Sequence, residues 1–217
     1  MTTRKKAKGK PGQARNPWRD HYAEKARKEG YPARSVYKLQ EIQRRWKILA
    51  PGKKVLDLGC SPGSWLLFAS QTVGPSGKIT GVDLKPVDTS AMPWVRMITG
   101  DVTSPELAEE LGGSFDVLLS DMAPNTCGNR DLDALRSAML AEAALDLAGR
   151  VLVPGGAFVC KIFQGDGFEE FMARVRPRFG KTRLFKPQST RTASREIYII
   201  ATEAKPAPEG GWEPATV

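Results

Sequence analysis

The sequence predicts an α/β domain built on a mostly parallel sheet with helices on both faces. From residue 54 onward, short apolar segments of strand length alternate with helix-compatible segments. The strand segments are apolar along nearly their whole length, which is typical of strands that are buried on both faces. The last two strand segments, 181–187 and 195–202, follow one another without a helix between them. They are therefore expected to pair antiparallel at one edge of the sheet.

The individual elements follow in a regular order. The strand segments are 54–58, 78–84, 94–100, 115–121, 155–163, 181–187 and 195–202. The helical segments among them are 64–73, 104–112, 132–152 and 167–179. Before the sheet, the polar stretch 20–45 predicts two helices separated at GYPARS, with Ser35 as the cap of the second. Lys38 lies on that second helix, in which these apolar residues recur at helical spacing: Val36, Leu39, Ile42 and Trp46.

One folded domain with two tails is expected from a chain of 217 residues and 23.8 kDa. Residues 1–17 are rich in Lys, Gly and Pro, and residues 203–217 are rich in Pro and Gly. Both segments are predicted to be flexible, because such compositions do not support a packed core. This leaves 18–202 as a single domain that begins with basic helices.

The net charge of +9 is unevenly distributed along the chain. Residues 1–50 contain 15 Lys and Arg against 4 Asp and Glu, and residues 174–195 contain 8 basic residues and no acidic one. Residues 51–173 contain 9 basic residues against 16 acidic ones. Because phosphate neutralisation favours binding of nucleic acid to basic surfaces, the two flanks are the expected RNA- or DNA-binding surfaces.

Composition argues against several classes of protein. No apolar run approaches the length of a membrane span, and the start of the chain lacks the apolar stretch of a secretory signal, so a cytoplasmic location is expected. Cys60, Cys127 and Cys160 are far apart and lack CxxC spacing, which disfavours a disulfide framework or a structural zinc site. The single histidine, His21, disfavours histidine triads and His-rich metal centres.

A glycine loop follows the first strand in VLDLGCSPGSW, residues 55–65. Gly59 and Gly63 allow positive φ or close approach of a ligand, and the carboxyl ends of strands are where open α/β sheets bind ligands. The loop lacks the G-x-G-x-x-G of dinucleotide sites and the G-K-[ST] of P-loops. A small adenosine cofactor without a pyrophosphate is therefore expected, with S-adenosylmethionine the leading candidate. An NAD-dependent oxidoreductase is the competing interpretation, disfavoured by the missing fingerprint and the final hairpin.

Charged residues follow the later strands in the same way. Asp83 ends the second strand, where an acidic residue would bind a ribose diol, and Asp101 follows the third, within reach of an adenine edge. Asp121 in SDMAPN ends the fourth strand and would face the same crevice. Lys161 in FVCKIFQG ends an apolar strand and Glu196 in SREIYII begins one. Charges at such positions need partners, and a structural ion pair is as compatible with this pattern as catalysis.

Five separated motifs together resemble the FtsJ/RrmJ family of ribose 2'-O-methyltransferases. They are Lys38 in RSVYKLQEI, DLGCSPGSW, SDMAPN, Lys161 in KIFQG and Glu196 in SREIYI, and they span the domain at 18–202. The resemblance implies a Rossmann-like S-adenosylmethionine-dependent methyltransferase fold, with a mostly parallel seven-stranded sheet and an antiparallel edge strand. The chain departs from the family at Cys60 and Ser61, which are often alanine, and at Ser64, where a second glycine is common.

The resemblance also implies roles for individual residues. Lys38, Asp121, Lys161 and Glu196 match the family's catalytic Lys-Asp-Lys-Glu tetrad. The positions that match its cofactor-binding residues are Gly59, Gly63, Trp65, Asp83, Asp101 and Asp121. The residues expected to hold RNA phosphates are Arg34, Arg44, Arg45, Arg191 and Arg195. Whether Lys161 removes the proton of the ribose hydroxyl, or stays cationic and stabilises the developing alkoxide, is left open by the sequence.

The activity implied by the resemblance is methyl transfer from S-adenosylmethionine to the ribose 2'-hydroxyl of a uridine in 23S ribosomal RNA. The expected partner is that RNA within the assembled 50S subunit, with no membrane, no structural metal and a monomeric enzyme. A tRNA ribose 2'-O-methyltransferase is one alternative, because the catalytic motifs would be shared. A non-catalytic RNA-binding protein of ribosome assembly is another, which the intact tetrad disfavours.

Overall fold

Seven strands form one sheet with helices on both faces in the computed structural model, which describes residues 17–209 and 212. The strands are β1 (Lys54–Leu58), β2 (Lys78–Asp83), β3 (Val95–Thr99), β4 (Phe115–Ser120), β5 (Leu152–Phe163), β6 (Phe179–Phe185) and β7 (Glu196–Ala204). The helices are α1 (Pro17–Lys28), α2 (Val36–Trp46), α3 (Ser64–Val73), α4 (Leu107–Leu111), α5 (Arg130–Val151) and α6 (Phe168–Arg178). The predicted tail 1–17 lies outside the described residues except for residue 17. Of the predicted tail 203–217, residues 203–209 and 212 are described, and the first two belong to β7, so the strand extends two residues beyond the predicted end of the domain.

The strand order is β3-β2-β1-β4-β5-β7-β6. The pairs from β3 to β5 are parallel, and β7 is antiparallel to both of its neighbours. The predicted antiparallel pairing of the last two strands is therefore confirmed. The antiparallel strand, β7, lies one position inside the edge of the sheet. The chain passes from β5 through α6 to the edge strand β6, which runs parallel to β5, and β7 then inserts between β5 and β6.

Two hydrophobic layers enclose the sheet. Leu118 and Phe158 belong to the layer packed against α5 and α6, whereas Leu119 and Val159 belong to the layer packed against α2 and α3. Successive residues of a strand point to opposite faces, so these neighbours in sequence contribute to different layers. The near-continuous apolar strands of the sequence are explained by this burial on both faces.

The start of α2 is fixed by α3. The helix begins at Val36 as predicted, but the predicted capping role of Ser35 is wrong, since its backbone is already helical and its hydroxyl makes no capping hydrogen bond. The carbonyl of Ser35 instead accepts a hydrogen bond of 2.8 Å from the indole N–H of Trp65. This contact ties the first turn of α2, which carries Lys38, to the helix that follows the glycine loop.

No helix in the described part of the chain is long and apolar enough to cross a membrane. Within the same residues, no group of three His, Cys, Asp or Glu side chains is placed to hold a metal ion. Cys60 and Cys160 are buried, Cys127 is exposed, and all three are free thiols.

Candidate active site

The four residues of the predicted tetrad meet as two ion pairs at the carboxyl ends of the parallel strands. Asp121 directly follows β4, whose last residue lies beside β5 one position before Lys161. The Nζ of Lys161 lies 3.0 Å from Oδ1 of Asp121. Glu196 opens β7, and its Oε1 lies 2.6 Å from Nζ of Lys38 on α2. Each lysine therefore has a different carboxylate as its partner.

The Lys161–Asp121 pair is buried and held by a third residue. Lys161 Nζ also donates to the backbone carbonyl of Asp121 at 2.5 Å, and the hydroxyl of Tyr198 donates to Oδ1 of Asp121 at 2.6 Å. Burial opposes the charge on Asp121, but Lys161 and Lys38 outweigh it, so the pKa of Asp121 lies below its usual value. Burial and the charge of Asp121 raise the pKa of Tyr198 well above its usual value, which keeps its hydroxyl a neutral donor.

The Lys38–Glu196 pair is also supported by a hydroxyl. Thr190 Oγ1 donates to Glu196 Oε1 at 3.0 Å, the same oxygen that contacts Lys38. Both charged side chains remain 13% exposed, compared with 6% for Lys161. This second pair is therefore the more accessible of the two.

The loop between β6 and β7, residues 186–195, is fastened to α2. The carboxylate of Glu41 accepts the backbone N–H groups of Gln188 and Ser189 at 2.7 and 2.9 Å. The guanidinium of Arg34 donates to the carbonyl of Ser189 at 2.5 Å. These contacts place Thr190 beside Glu196. The helix α2 and the residue Arg34 just before it therefore position the loop, and α2 also positions Lys38.

A cleft of about 470 Å³ opens beside the Lys38–Glu196 pair. Its walls come from the start of α2 and from the loop 186–195, and they carry the cations Arg34 and Arg191. Guanidinium groups bind phosphate oxygens with a matching planar geometry. The cleft can therefore admit a phosphate-bearing substrate to the accessible ion pair.

The glycine loop lies at the end of β1 and requires both of its glycines. Gly59 has φ +70° and Gly63 has φ +103°, a region that other residues rarely adopt. A Cβ atom on Gly59 would lie 2.5 Å from Cγ of Met122, and one on Gly63 would lie 2.7 Å from Cγ1 of Val87. The backbone of the loop is thus closely covered by the segments that follow β4 and β2.

Trp65 lies beneath this loop rather than on its open side. Its side chain is buried, donates to Ser35 and packs against Tyr198 with ring centroids 5.7 Å apart. Its backbone belongs to the first turn of α3, where N–H groups have no partner within the helix. The side chain of Trp65 is occupied by its contacts with Ser35 and Tyr198, so any hydrogen bond from Trp65 to a cofactor comes from its backbone.

Two predicted cofactor carboxylates lie at neighbouring strand ends. Asp83, the last residue of β2, accepts the backbone N–H groups of Ser61 and Lys85, each at 2.9 Å. Asp101 follows β3 and accepts the N–H and the hydroxyl of Thr103 at 2.9 and 2.8 Å, which lowers the pKa of Asp101. Asp83 is therefore joined to the glycine loop through Ser61, while Asp101 closes a local turn on the exposed rim.

Asp57 in β1 was not among the predicted site residues, although an acidic residue inside the apolar run VLDL was a visible signal. Asp57 is fully buried, and neither carboxylate oxygen has a hydrogen-bond partner among the described residues. Burial, together with the charges of Asp121 and Asp83, raises the pKa of Asp57 well above its usual value. A cationic ligand would satisfy these oxygens, so the site fits S-adenosylmethionine, which carries an ammonium and a sulfonium group.

The predicted RNA-binding arginines lie in three different settings. Arg34 and Arg191 line the cleft, and Arg44 and Arg45 are exposed on the last turn of α2. Arg195 differs from these, because its guanidinium donates to the backbone carbonyls of Gln164 and Arg130. Arg195 therefore anchors the end of the loop 186–195.

The second basic flank, 174–195, is less available to RNA than its composition indicates. Arg174 pairs with Glu142 and Asp146 of α5, and the buried Arg178 also contacts Asp146. Lys181 pairs with Glu203 of the adjacent strand. The expectation that the whole flank contacts phosphates is wrong for Arg174 and Arg178, because both contact carboxylates of α5. Arg176 on the same helix is exposed. The exposed cations of the later part are Arg183, Lys186 and Arg191.

Solved structures share the architecture described above. A putative ribosomal RNA methyltransferase from Plasmodium falciparum matches with a TM-score of 0.71 and 28% identity, over 80% of this chain and 98% of that one. Fibrillarin from Aeropyrum pernix, solved with bound S-adenosyl-L-methionine, matches with a TM-score of 0.54 and 18% identity, over 71% of this chain and 68% of that one. The fibrillarin likeness is one of fold.

Sequence relatives cover nearly the whole chain. A protein of Desulfatibacillum aliphaticivorans named ribosomal RNA large subunit methyltransferase E is 57% identical over 92% of this chain and 95% of its own length. A protein of the same name from Acinetobacter baumannii is 41% identical over 95% of this chain and 97% of its own length. The sequence model of the FtsJ-like methyltransferases matches residues 31–204, which include all four members of the tetrad and the glycine loop. The chain is a member of the FtsJ-like methyltransferase family.

Proposed function

We propose that this protein transfers the methyl group of S-adenosylmethionine to the ribose 2'-hydroxyl of a uridine in the RNA of the large ribosomal subunit. One observation carries the proposal: the two ion pairs Lys161–Asp121 and Lys38–Glu196 lie together at the strand ends, next to a basic cleft. The names of the relatives, which specify the large subunit, support this choice of RNA.

The residues at the ends of β1, β2 and β3 would hold the cofactor. The glycine loop with Gly59 and Gly63 would lie against it, and a cationic group of the cofactor would satisfy the buried carboxylate of Asp57. Asp83 would bind the ribose diol and Asp101 the adenine edge, as carboxylates at these strand ends do in related sheets. When bound, the cofactor supplies a methyl group that its positive sulfonium makes electrophilic, so the acceptor requires only orientation and loss of a proton.

The residues of the cleft orient and polarise the ribose hydroxyl. Arg34 and Arg191 hold phosphates on either side of the target nucleotide, and Lys38 with Glu196 positions the ribose. Lys161, the cation of the buried ion pair, stabilises the negative charge that develops on the 2'-oxygen. Glu196, the carboxylate that lines the cleft, accepts the hydroxyl proton.

The enzyme acts as a monomer in the cytoplasm on the assembled 50S subunit, without a structural metal, as a single domain over residues 18–202. The cations along the cleft and along α2 serve as the phosphate contacts of that substrate. A tRNA substrate would use the same tetrad, so the choice between the two RNAs is an experimental one.

The test incubates the protein and labelled S-adenosylmethionine with 50S subunits, protein-free 23S RNA or total tRNA, and maps the alkali-resistant 2'-O-methylated nucleotide. Label is expected at one uridine of the 50S subunit. Lys161→Met should abolish it, whereas Lys181→Met should not, because it breaks only the exposed pair between Lys181 on β6 and Glu203 on β7. Transfer to tRNA alone, or equal loss in both variants, would overturn the proposal.

A further inference from the structure

The last turn of α2 and the end of β6 form a surface that the catalytic chemistry does not use. The guanidinium of Arg45 lies over the ring of Trp46, with 5.1 Å to its centroid, and over the ring of Phe185 at 5.6 Å. The two rings meet edge to face with their centroids 4.9 Å apart. Arg45 itself is exposed, so its guanidinium contacts the two rings while the residue remains accessible to solvent.

Positive charge predominates around this surface. Glu41, one turn before Arg45 on α2, is the nearest acid on that helix, and its carboxylate accepts backbone N–H groups of the loop 186–195. Arg44 is exposed on the last turn of α2, Lys47 is exposed directly after that helix, and Arg183 is exposed on β6. The sequence has no Asp or Glu between Glu41 and Asp57, and none within 174–195. Among the described residues, no carboxylate is paired with Arg44 or Lys47. The surface is therefore complementary to a polyanion.

The stack orders Arg45 before any partner arrives. A free arginine side chain loses rotamer entropy when it binds, but one that already rests on two rings has lost part of it. A planar guanidinium with one free face can accept a nucleotide base in a stack, which a lysine ammonium cannot do. Arg44 has the same charge and exposure without such a stack.

The position of Arg45 links it to the cleft. Arg45 follows Lys38 by seven residues on α2, which places both on one face of the helix about 10 Å apart along its axis. Phe185 lies beside Tyr198 in the sheet, and Tyr198 holds Asp121. An RNA strand whose target ribose lies in the cleft can therefore continue along α2 to this surface.

We propose that Arg45, Trp46 and Phe185 form a docking site for one unpaired nucleotide that flanks the target in the RNA substrate. The base stacks on the outer face of the Arg45 guanidinium, and Arg44, Lys47 and Arg183 neutralise the adjoining phosphates. The inference rests on the proposed function, because it takes RNA as the substrate. It adds a requirement for an unpaired base beside the target, which the tetrad alone does not impose.

The test compares Arg45→Lys with Arg150→Lys, two variants that keep the charge at exposed positions. Arg150 lies in the last turn of α5, at the opposite edge of the sheet from the candidate site, and is the control. Arg45→Lys should weaken binding of 50S subunits and of protein-free 23S RNA about fivefold or more, the value of one stacked base. Arg150→Lys should bind as the wild type does. Because charge is retained, the slope of log affinity against log salt should stay the same in both variants. Affinity for S-adenosylmethionine should not change.

A second variant, Phe185→Leu, keeps every charge and removes one supporting ring, so it should weaken RNA binding in the same direction. Equal affinities of Arg45→Lys, Arg150→Lys and wild type would overturn the stacking site. If Arg45→Lys bound 50S subunits more weakly than the wild type but bound protein-free RNA equally well, the stacking site would also be overturned. The surface would then contact an acidic ribosomal protein. Failure of the proposed function is distinct, since the wild-type enzyme would then methylate no large-subunit RNA.

Discussion

Replacing Tyr198 by Phe tests how the buried ion pair is held. The change removes a hydroxyl that donates to Asp121 Oδ1 at 2.6 Å and leaves a ring of nearly the same shape in a fully buried position. A hydrogen bond to a charged group contributes about 1.5–3 kcal/mol. Since Lys161 still contacts the same oxygen at 3.0 Å, the loss should be near the lower end, about 1.5 kcal/mol.

For a chain of this size, a loss of about 1.5 kcal/mol corresponds to a decrease of about 3–6 °C in the Tm, measured by calorimetry at neutral pH. The pKa of Asp121 is lowered in the folded state, so its stabilising contribution is present above the unfolded pKa and is lost as pH falls through the folded one. The hydroxyl of Tyr198 contributes to that lowering. The difference between variant and wild type should therefore shrink in acid.

Tyr31→Phe is the matched control, because the Tyr31 hydroxyl donates to Gln71 at 2.9 Å in a solvent-exposed bond. Its effect should stay within about 0.5 kcal/mol. If Tyr198→Phe melts with Tyr31→Phe, or if its deficit is as large in acid as at neutral pH, the hydroxyl does not stabilise the charged form of Asp121 and the reasoning fails.

Three further outcomes are expected. Gly59→Ala should destabilise the fold by about 1–3 kcal/mol and weaken cofactor binding in calorimetry, because the new Cβ is strained at φ +70° and meets Met122. Asp57→Asn should stabilise the cofactor-free protein in denaturant titrations. The pKa of Asp57 is raised in the folded state, so its deprotonation destabilises the wild type, and the stability gained by the variant should be small near the unfolded pKa and grow as pH rises. Unchanged stability at neutral pH would contradict this. Glu41→Gln should raise the KM for RNA about fivefold, because it weakens the hydrogen bonds that hold the loop 186–195 by about the free energy of one hydrogen bond. The Kd of the cofactor should not change.

Proximity in this site was predictable where it follows from strand order. Asp83 and Asp121 end parallel strands, and the carboxyl ends of such strands meet at one edge of the sheet. The encounter of Lys161 with Asp121 follows from the same rule, once their strands are recognised as neighbours.

Contacts that depend on long-range register were not predictable. Tyr198 contacts Asp121 because β7 inserts between β5 and β6. In the sequence, Tyr198 is one residue of the apolar run EIYII, and nothing there indicates that its hydroxyl binds a carboxylate. Glu41 is an ordinary surface acid of a helix in the sequence, and its role depends on the loop 186–195, which packs against it in the fold. Arg174 was assigned to RNA from charge alone, whereas the face that α6 presents to α5 decides its partner.

The late insertion of β7 has a consequence for synthesis of the protein. Glu196 belongs to the second-last strand in space but the last in sequence, and its partner Lys38 lies near the other end of the chain. A ribosome making this protein must therefore release almost all of it before the accessible ion pair can form. Translation products that stop before β7 lack Glu196 and Tyr198, so in them Lys38 has no Glu196 to pair with and Asp121 loses the hydroxyl that donates to it.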